Sequence, residues 1–238
     1  MNPLIKYIPV LTTVLSGLFF IKIYKHWYSR KSVIYLLWWT FGILTYGLGT
    51  LTESLFALFG WHVVILKAWY IFGAILGGVP LAQGTVHLLY NKKVANVLSV
   101  IVILAILITS ALIILSPVDY GSTPPERLTG SVLVWSNIRL MTPFINMYAF
   151  VFLVGGAIYS AWRYSKDPNF RKRMIGNIYI AIGGLLPGIG GAFTHYGHTE
   201  VLYITELIGL ALIFQGYLTI KNDKSRPWTT RQLIQNRA

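Results

Sequence analysis

Cysteine is absent from this sequence of 238 residues, and that removes several chemistries at once. No disulfide, thiolate zinc site, thiolate-held iron-sulfur cluster or cysteine nucleophile can be built. Acidic residues are scarce, 7 Asp and Glu against 20 Lys and Arg, so any carboxyl inside an apolar stretch becomes a candidate for chemistry. Charge as a whole is low, at 11% of residues, while 55% are hydrophobic. The few charges fall between long apolar runs, which is the composition of a polytopic membrane protein and not of a soluble domain. The net charge of +13 does not point to nucleic acid. Lysine and arginine gather at the ends of the apolar runs on one side, where they set topology. One lysine precedes the first apolar stretch and no small-residue cleavage motif follows it, so this stretch reads as an uncleaved helix.

What is present is a series of apolar runs long enough to cross a bilayer. The first span is expected at about Tyr7 to Ile23, before the basic, aromatic patch Lys22, Lys25, His26, Trp27, Tyr28, Arg30 and Lys31. The second runs from Val33 to about Leu51, with a possible continuation past Glu53 to Phe59, and the third from about His62 to Tyr90. Val94 to Ser116 is the plainest, aliphatic and free of glycine and proline. A polar connection follows from Pro117 to about Leu140, whose stretch Ser131 to Ile138 is apolar enough to lie on the membrane surface. The fifth span covers about Met141 to Trp162. The sixth carries the run Gly183-Gly-Leu-Leu-Pro-Gly-Ile-Gly-Gly191, and the seventh covers about Val201 to Ile220. Glycine and proline at this density break a soluble helix, but a bilayer tolerates them where neighbouring helices take up the freed backbone groups.

With seven spans, the basic residues from Lys22 to Lys31, Lys92, Lys93, Arg163 to Arg173 and the C-terminal tail fall on one face, against Lys6, Arg127 and Arg139 on the other. The positive-inside rule then puts the N-terminus outside and the C-terminus in the cytoplasm. An internal echo supports the same count. Gly42, Gly47 and Gly49 have the spacing of Gly183, Gly188 and Gly190; Ile23-Tyr24-x-x-Trp27 matches Ile158-Tyr159-x-x-Trp162; and Gln83-Gly84 matches Gln215-Gly216. The expected fold is therefore all-α, a polytopic membrane protein with seven transmembrane helices in a 3+1+3 parallel-repeat arrangement. Residues 1–93 form the first three-helix half, 94–116 the linking helix and 117–140 an extracytoplasmic loop. Residues 141–220 form the second half, and 221–238 a basic cytoplasmic tail that is expected to be loosely ordered. This layout resembles that of the SWEET and PQ-loop transporters and of microbial rhodopsins. There is no Pro-Gln pair, and the centre of the seventh span, Glu206-Leu-Ile-Gly-Leu210, lacks the lysine that a retinal Schiff base requires.

Charges within reach of hydrocarbon mark functional positions, and three stand out. Glu53 lies roughly 33 Å beyond Lys31, and Lys67 roughly 37 Å beyond Lys92 at helical rise. Both are expected at the outer interface, flanking the turn at Gly60, as a structural ion pair. Glu206, roughly 22 Å from Lys221, falls inside the bilayer with no basic residue at its level. Burial disfavours a charged carboxylate, so this group suits a proton carrier, a cation ligand or a counterion to an amine. Gln83, Gln215 and Asn146 are expected to join it in binding a ligand, with the two glutamines symmetric about the pseudo-axis. His62, His195 and His198 form a weaker constellation for a divalent metal. Haem would need His62 with His195 or His198, or His26 with His87.

The functional reading from these residues is a carrier or ligand-binding protein for a small solute in the plasma membrane, coupled to proton or cation binding at Glu206. Two other readings are an accessory subunit packing partners or pigments on its glycine-rich faces, and a metal-dependent membrane hydrolase using the outer histidines. The lipid bilayer is the one partner that composition demands.

Overall fold

The computed structural model describes residues 5–119, 121, 128–194 and 196–223. It is helical throughout apart from a single antiparallel bridge between Val118 and Leu133. Seven helices are long and apolar enough to cross a membrane: α1 Ile5–Tyr28, α2 Ile34–Phe59, α3 Val63–Leu89, α4 Lys92–Leu115, α5 Asn137–Ser165, α6 Pro168–Thr194 and α7 Thr199–Lys221. The protein is a multi-pass membrane protein on this ground. The basic tail past residue 223 and the Pro124 to Arg127 part of the connection lie outside the described residues.

Six helices close into a ring in chain order, α1, α2, α3, α5, α6, α7 and back to α1, with α4 outside against α3 and α5. Composition explains the outlier. α4 has the highest mean hydropathy of the seven, 3.1, and only 17% of its apolar window is buried, so lipid can cover it on almost every side.

Helix ends follow local chemistry. α2 does continue through Glu53 to Phe59, and stops at Gly60, whose φ of +83° favours glycine and whose N–H reaches the Phe56 carbonyl at 2.9 Å. His62 then caps α3, its Nδ1 accepting from the Val64 N–H at 3.2 Å, and Asn91 caps α4 through Val94.

α3 is not continuous. It passes through a π-helical stretch, Tyr70–Ile75, and breaks at Leu76 to Gly78 before resuming at Val79. Pro80 has no N–H to give the carbonyl one turn back, that of Leu76, and lipid offers no substitute. Thr45 of α2 supplies it, its Oγ1 donating to the Leu76 oxygen at 3.2 Å. α5 contains a second π-helical stretch, Phe150–Gly155.

The α6–α7 seam explains the glycine run. A Cβ on Gly183 would lie 2.5 Å from the Gly209 oxygen, one on Gly216 2.5 Å from the Gly176 oxygen, and one on Gly190 2.7 Å from the Leu202 Cα. Backbone therefore meets backbone along the seam, at distances that only glycine allows.

One expectation is corrected. The segment from Ser131 to Ile138 is folded into the bundle in part: Val132, Leu133 and Ile138 are buried, while Val134 and Trp135 stay exposed. Leu133 and Ile138 pack with Tyr70, Ile75 and Ile113, because an apolar strip beside an incomplete core removes more surface by folding inward than by spreading on lipid headgroups.

Thr45→Val keeps the shape of the side chain and strands the Leu76 carbonyl. It is expected to destabilise the protein by about 1 kcal/mol, read as a lower midpoint of unfolding in detergent, whereas Thr45→Ser should stay near the parent. Equal midpoints for all three would show that the break in α3 needs no donor.

Candidate functional site

A cavity of about 1160 Å³ occupies the half of the ring nearer the α4–α5 connection. Five helices line it, α2, α3, α5, α6 and α7, and Thr129 to Ser131 of the connection lie over it. Leu81, Leu153 and Ile213 form its floor and also belong to the main apolar cluster, with Phe19, Ile43 and Leu210. That cluster fills the half of the ring toward the basic loops. Both π-helical stretches reach the wall, through Tyr70 and Gly73 in α3 and Phe150 and Leu153 in α5. Such stretches recur at functional sites, because the extra residue per turn re-aims side chains.

Two carboxyls meet in this cavity, Glu53 from α2 and Glu206 from α7, and their side chains are close enough to interact. Glu53 is 2% exposed, and its Oε1 accepts from the Trp69 Nε1–H at 2.9 Å. Glu206 is half-buried as a residue, but its Oε2 is shielded from solvent. No other residue gives a hydrogen bond to Glu53 Oε2 or Glu206 Oε2; the two side chains lie within hydrogen-bonding reach of each other, so one shared proton can bridge them. Tyr46 is beside the pair, yet its hydroxyl donates to the Glu206 backbone carbonyl at 3.0 Å and not to a carboxyl. Two like charges at contact in a dry wall repel strongly, so the pair needs a proton or a cation between its free oxygens.

The expected ion pair of Glu53 with Lys67 does not form. Lys67 Nζ donates instead to the carbonyls of Ile114 and Ser116, at 2.7 and 2.9 Å. These stand at the C-terminal end of α4, where carbonyls lack intrahelical partners and the helix dipole favours a cation. Positions two apart on a helix face opposite ways. Trp69 therefore turns toward α2 while Lys67 turns toward α4.

The expected ligand set divides. Glu206 and Asn146 line the cavity. Gln83 does not: it is fully buried below the floor, donating to the Ala95 carbonyl at 3.0 Å and to Ser99 Oγ at 2.7 Å and accepting from the Tyr148 hydroxyl. Gln215 is exposed on the outside of α7. The two glutamines differ because α4 covers the outer face of α3, and among the described residues no eighth helix covers α7 in the same way.

The histidines do not gather. His62 caps α3, and His198 Nδ1 pairs with Glu200 Oε1 at 3.1 Å; His195 lies outside the described residues. No three His, Asp or Glu side chains come together as a metal cluster among the described residues. His26 contacts the Tyr217 hydroxyl at 3.0 Å, between α1 and α7, and His87 contacts Ser99 at 2.9 Å, between α3 and α4. They stand on different seams, which does not suit a pair of axial ligands.

The residues that sequence reasoning missed here are Glu53, as partner of Glu206, and Trp69. Their signal was depth counted from the near ends of the helices. Glu53 lies less than two turns before Phe59 and Glu206 about two turns after Thr199, so both stand roughly 10 Å inside the same end of the bundle.

If Trp69 holds Glu53 through this bond, the two should couple energetically. In a double-mutant cycle of Trp69→Phe and Glu53→Leu, the pair together should be about 1 to 2 kcal/mol less destabilised than the sum of the singles. Simple additivity in unfolding would contradict the contact. No family model, curated protein or solved structure matches this chain, and the chemistry of the cavity is therefore the ground on which its function is argued.

Proposed function

We propose that this chain is a carrier or ligand-binding protein for a small solute in the plasma membrane, with the solute in the cavity and the Glu53–Glu206 pair as its proton- or cation-coupling site. One observation carries the reading: a cavity of about 1160 Å³ lined by two buried carboxyls that face each other and have only each other as partner for one oxygen apiece. Cavities of several hundred Å³ with a few convergent polar groups are the usual form of a small-molecule site. A coupled carrier also needs a group that exchanges its proton or cation as the solute moves.

The distribution of lysine and arginine supports an N-terminus outside and a C-terminus in the cytoplasm. The cavity then opens on the outer half, and the apolar cluster around Phe19 and Leu210 closes the cytoplasmic half.

A parallel duplication of three helices, with α4 as linker, is part of the same reading. One interval in the sequence relates Tyr35, Trp39, Gly42 and Gly49 to Gly176, Ile180, Gly183 and Gly190; a second relates Gly73, Leu81 and Gly84 to Thr205, Ile213 and Gly216. The contacts repeat with them. A Cβ on Gly42 would meet the Leu81 backbone nitrogen at 2.9 Å, and one on Gly183 the Ile213 nitrogen at 2.9 Å. Gly84 packs on the Tyr35 carbonyl and the Trp39 ring, as Gly216 packs on the Gly176 carbonyl and Ile180. Gly49 meets Gly73 where Gly190 meets Thr205. These shared contacts, together with the ring order of the helices, support two halves related by rotation about the membrane normal. The Ile-Tyr-x-x-Trp echo adds less, because Ile23 is buried and Ile158 exposed.

The glycines also favour a carrier over an accessory subunit. Gly176, Gly183 and Gly190 are used in packing against α7, and Gly188 and Gly191 line the cavity. Little of the α6 glycine face remains for a partner.

Glu206→Gln keeps the size of the side chain and removes its exchangeable charge. In proteoliposomes carrying an internal pH dye, the wild type is expected to give solute-evoked pH or current signals from a panel of small solutes. Glu206→Gln should lose them at an unchanged unfolding midpoint. Full signals from the variant, or none from the wild type, would contradict the coupled-carrier reading.

A further inference from the structure

We propose that the cavity takes an organic cation, a protonated amine on an apolar body of about the size of an aromatic ring, seated between Glu53 and Glu206. This rests on the reading of the cavity as a solute site and narrows its substrate class.

Charge is the first argument. The wall presents two carboxyls at one level, within reach of each other, and no third residue donates to the Oε2 atom of Glu53, itself only 2% exposed, or to that of Glu206. Three donors nearby are committed elsewhere: Trp69 to Glu53 Oε1, Tyr46 to the Glu206 backbone, and Lys67 to the end of α4. Among the described residues Arg139 is the basic one on the cavity wall, and it sits in the first turn of α5, nearer the loop end than the acids. An anionic solute would face repulsion at the acids. A neutral apolar one would offer these buried oxygens no hydrogen bond. A primary ammonium has three N–H donors, enough for both Oε2 atoms at once through charge-assisted bonds.

Size and lining are the second argument. A proton or a bare metal ion occupies a minute part of about 1160 Å³, and two carboxylates supply only part of the roughly six to eight oxygen ligands that calcium takes. The surface beside the acids is aromatic, with Tyr46, Trp69, Tyr70 and Phe150 on the wall, and ring faces attract ammonium groups. Below them the floor is aliphatic, through Leu81, Leu153 and Ile213. A charged head against the acids and an apolar body over this floor satisfy both surfaces.

The roof fits a solute-sized occupant as well. Gly130 lies so close to Tyr70 that a Cβ would stand 2.2 Å from its ring, and the Tyr70 hydroxyl meets Thr142 Oγ1 at 3.0 Å. These contacts fix the ring at the cavity edge, where it can lie over a bound cation.

The test uses the full chain in lipid nanodiscs and three probes of one shape: 2-phenylethylammonium, neutral 2-phenylethanol and anionic 3-phenylpropionate. Titration calorimetry and the unfolding midpoint should both report saturable binding of the amine, about tenfold or more tighter than the alcohol, with the anion weakest. Glu53→Gln and Glu206→Gln should each remove that preference while leaving the ligand-free midpoint within a few degrees. Alcohol and amine binding alike, or a preference that survives both variants, would overturn the cation assignment and leave the cavity as a solute site. No binding of any probe would contradict both.

Discussion

Two acidic side chains are held face to face inside a ring of apolar helices, and most of the unusual local structure serves that arrangement. A carboxylate in a dry wall is tolerable only when its oxygens find donors or a counter-charge. Glu53 receives one donor, from Trp69, and this requires the α3 indole to turn toward α2. Tyr46 fixes the backbone of α7 at Glu206 itself, which sets how near the second acid comes. The remaining oxygens have only each other, so they require a proton or a cation between them.

Lipid supplies the second constraint, since it offers nothing to an unpaired backbone group. The irregular parts of the chain are consequently confined to places where protein can complete them. The break in α3 is closed by Thr45, and Pro187 in α6 packs on Gly209. Both π-helical stretches border the cavity. Irregular backbone and binding wall thus coincide, as expected where a helix must give up its regular spacing to direct several side chains at one point. Glycine makes the same compromise on the outside of the wall. It lets α2 meet α3, and α6 meet α7, at backbone distance, which holds the ring rigid around an interior that is not filled by side chains.

Much of this was legible in the sequence, in proportion to how local its causes are. Seven spans follow from hydropathy and charge, down to the continuation of α2 through Glu53. The place of Glu206 on the cavity wall agrees with a charge at depth that has no basic residue near it. The partner of Glu53 was not legible from depth measured at the basic end, because errors in span length accumulate over thirty ångströms. It was within reach from the near ends. Lys67 was misread because proximity in sequence says nothing of which face of α3 a side chain uses. Gln83 and Gln215 match as letters, but α4 covers only one of them, and tertiary neighbours of that kind leave no trace in a helix's own pattern. The volume of the cavity was likewise beyond reach, since it depends on how far apart five helices stand.

The absence of cysteine gives the account its most direct test. A single cysteine at Asn146, on the cavity wall, can be treated in oriented membranes with impermeant thiol reagents of opposite charge. Relative to a free thiol in solution, Asn146→Cys should react from the loop face only, and faster with the cationic reagent than with the anionic one. That bias should collapse when Glu53→Gln and Glu206→Gln are added. Reaction from the basic face, or a charge preference indifferent to the two glutamates, would contradict an acidic cavity open to one side.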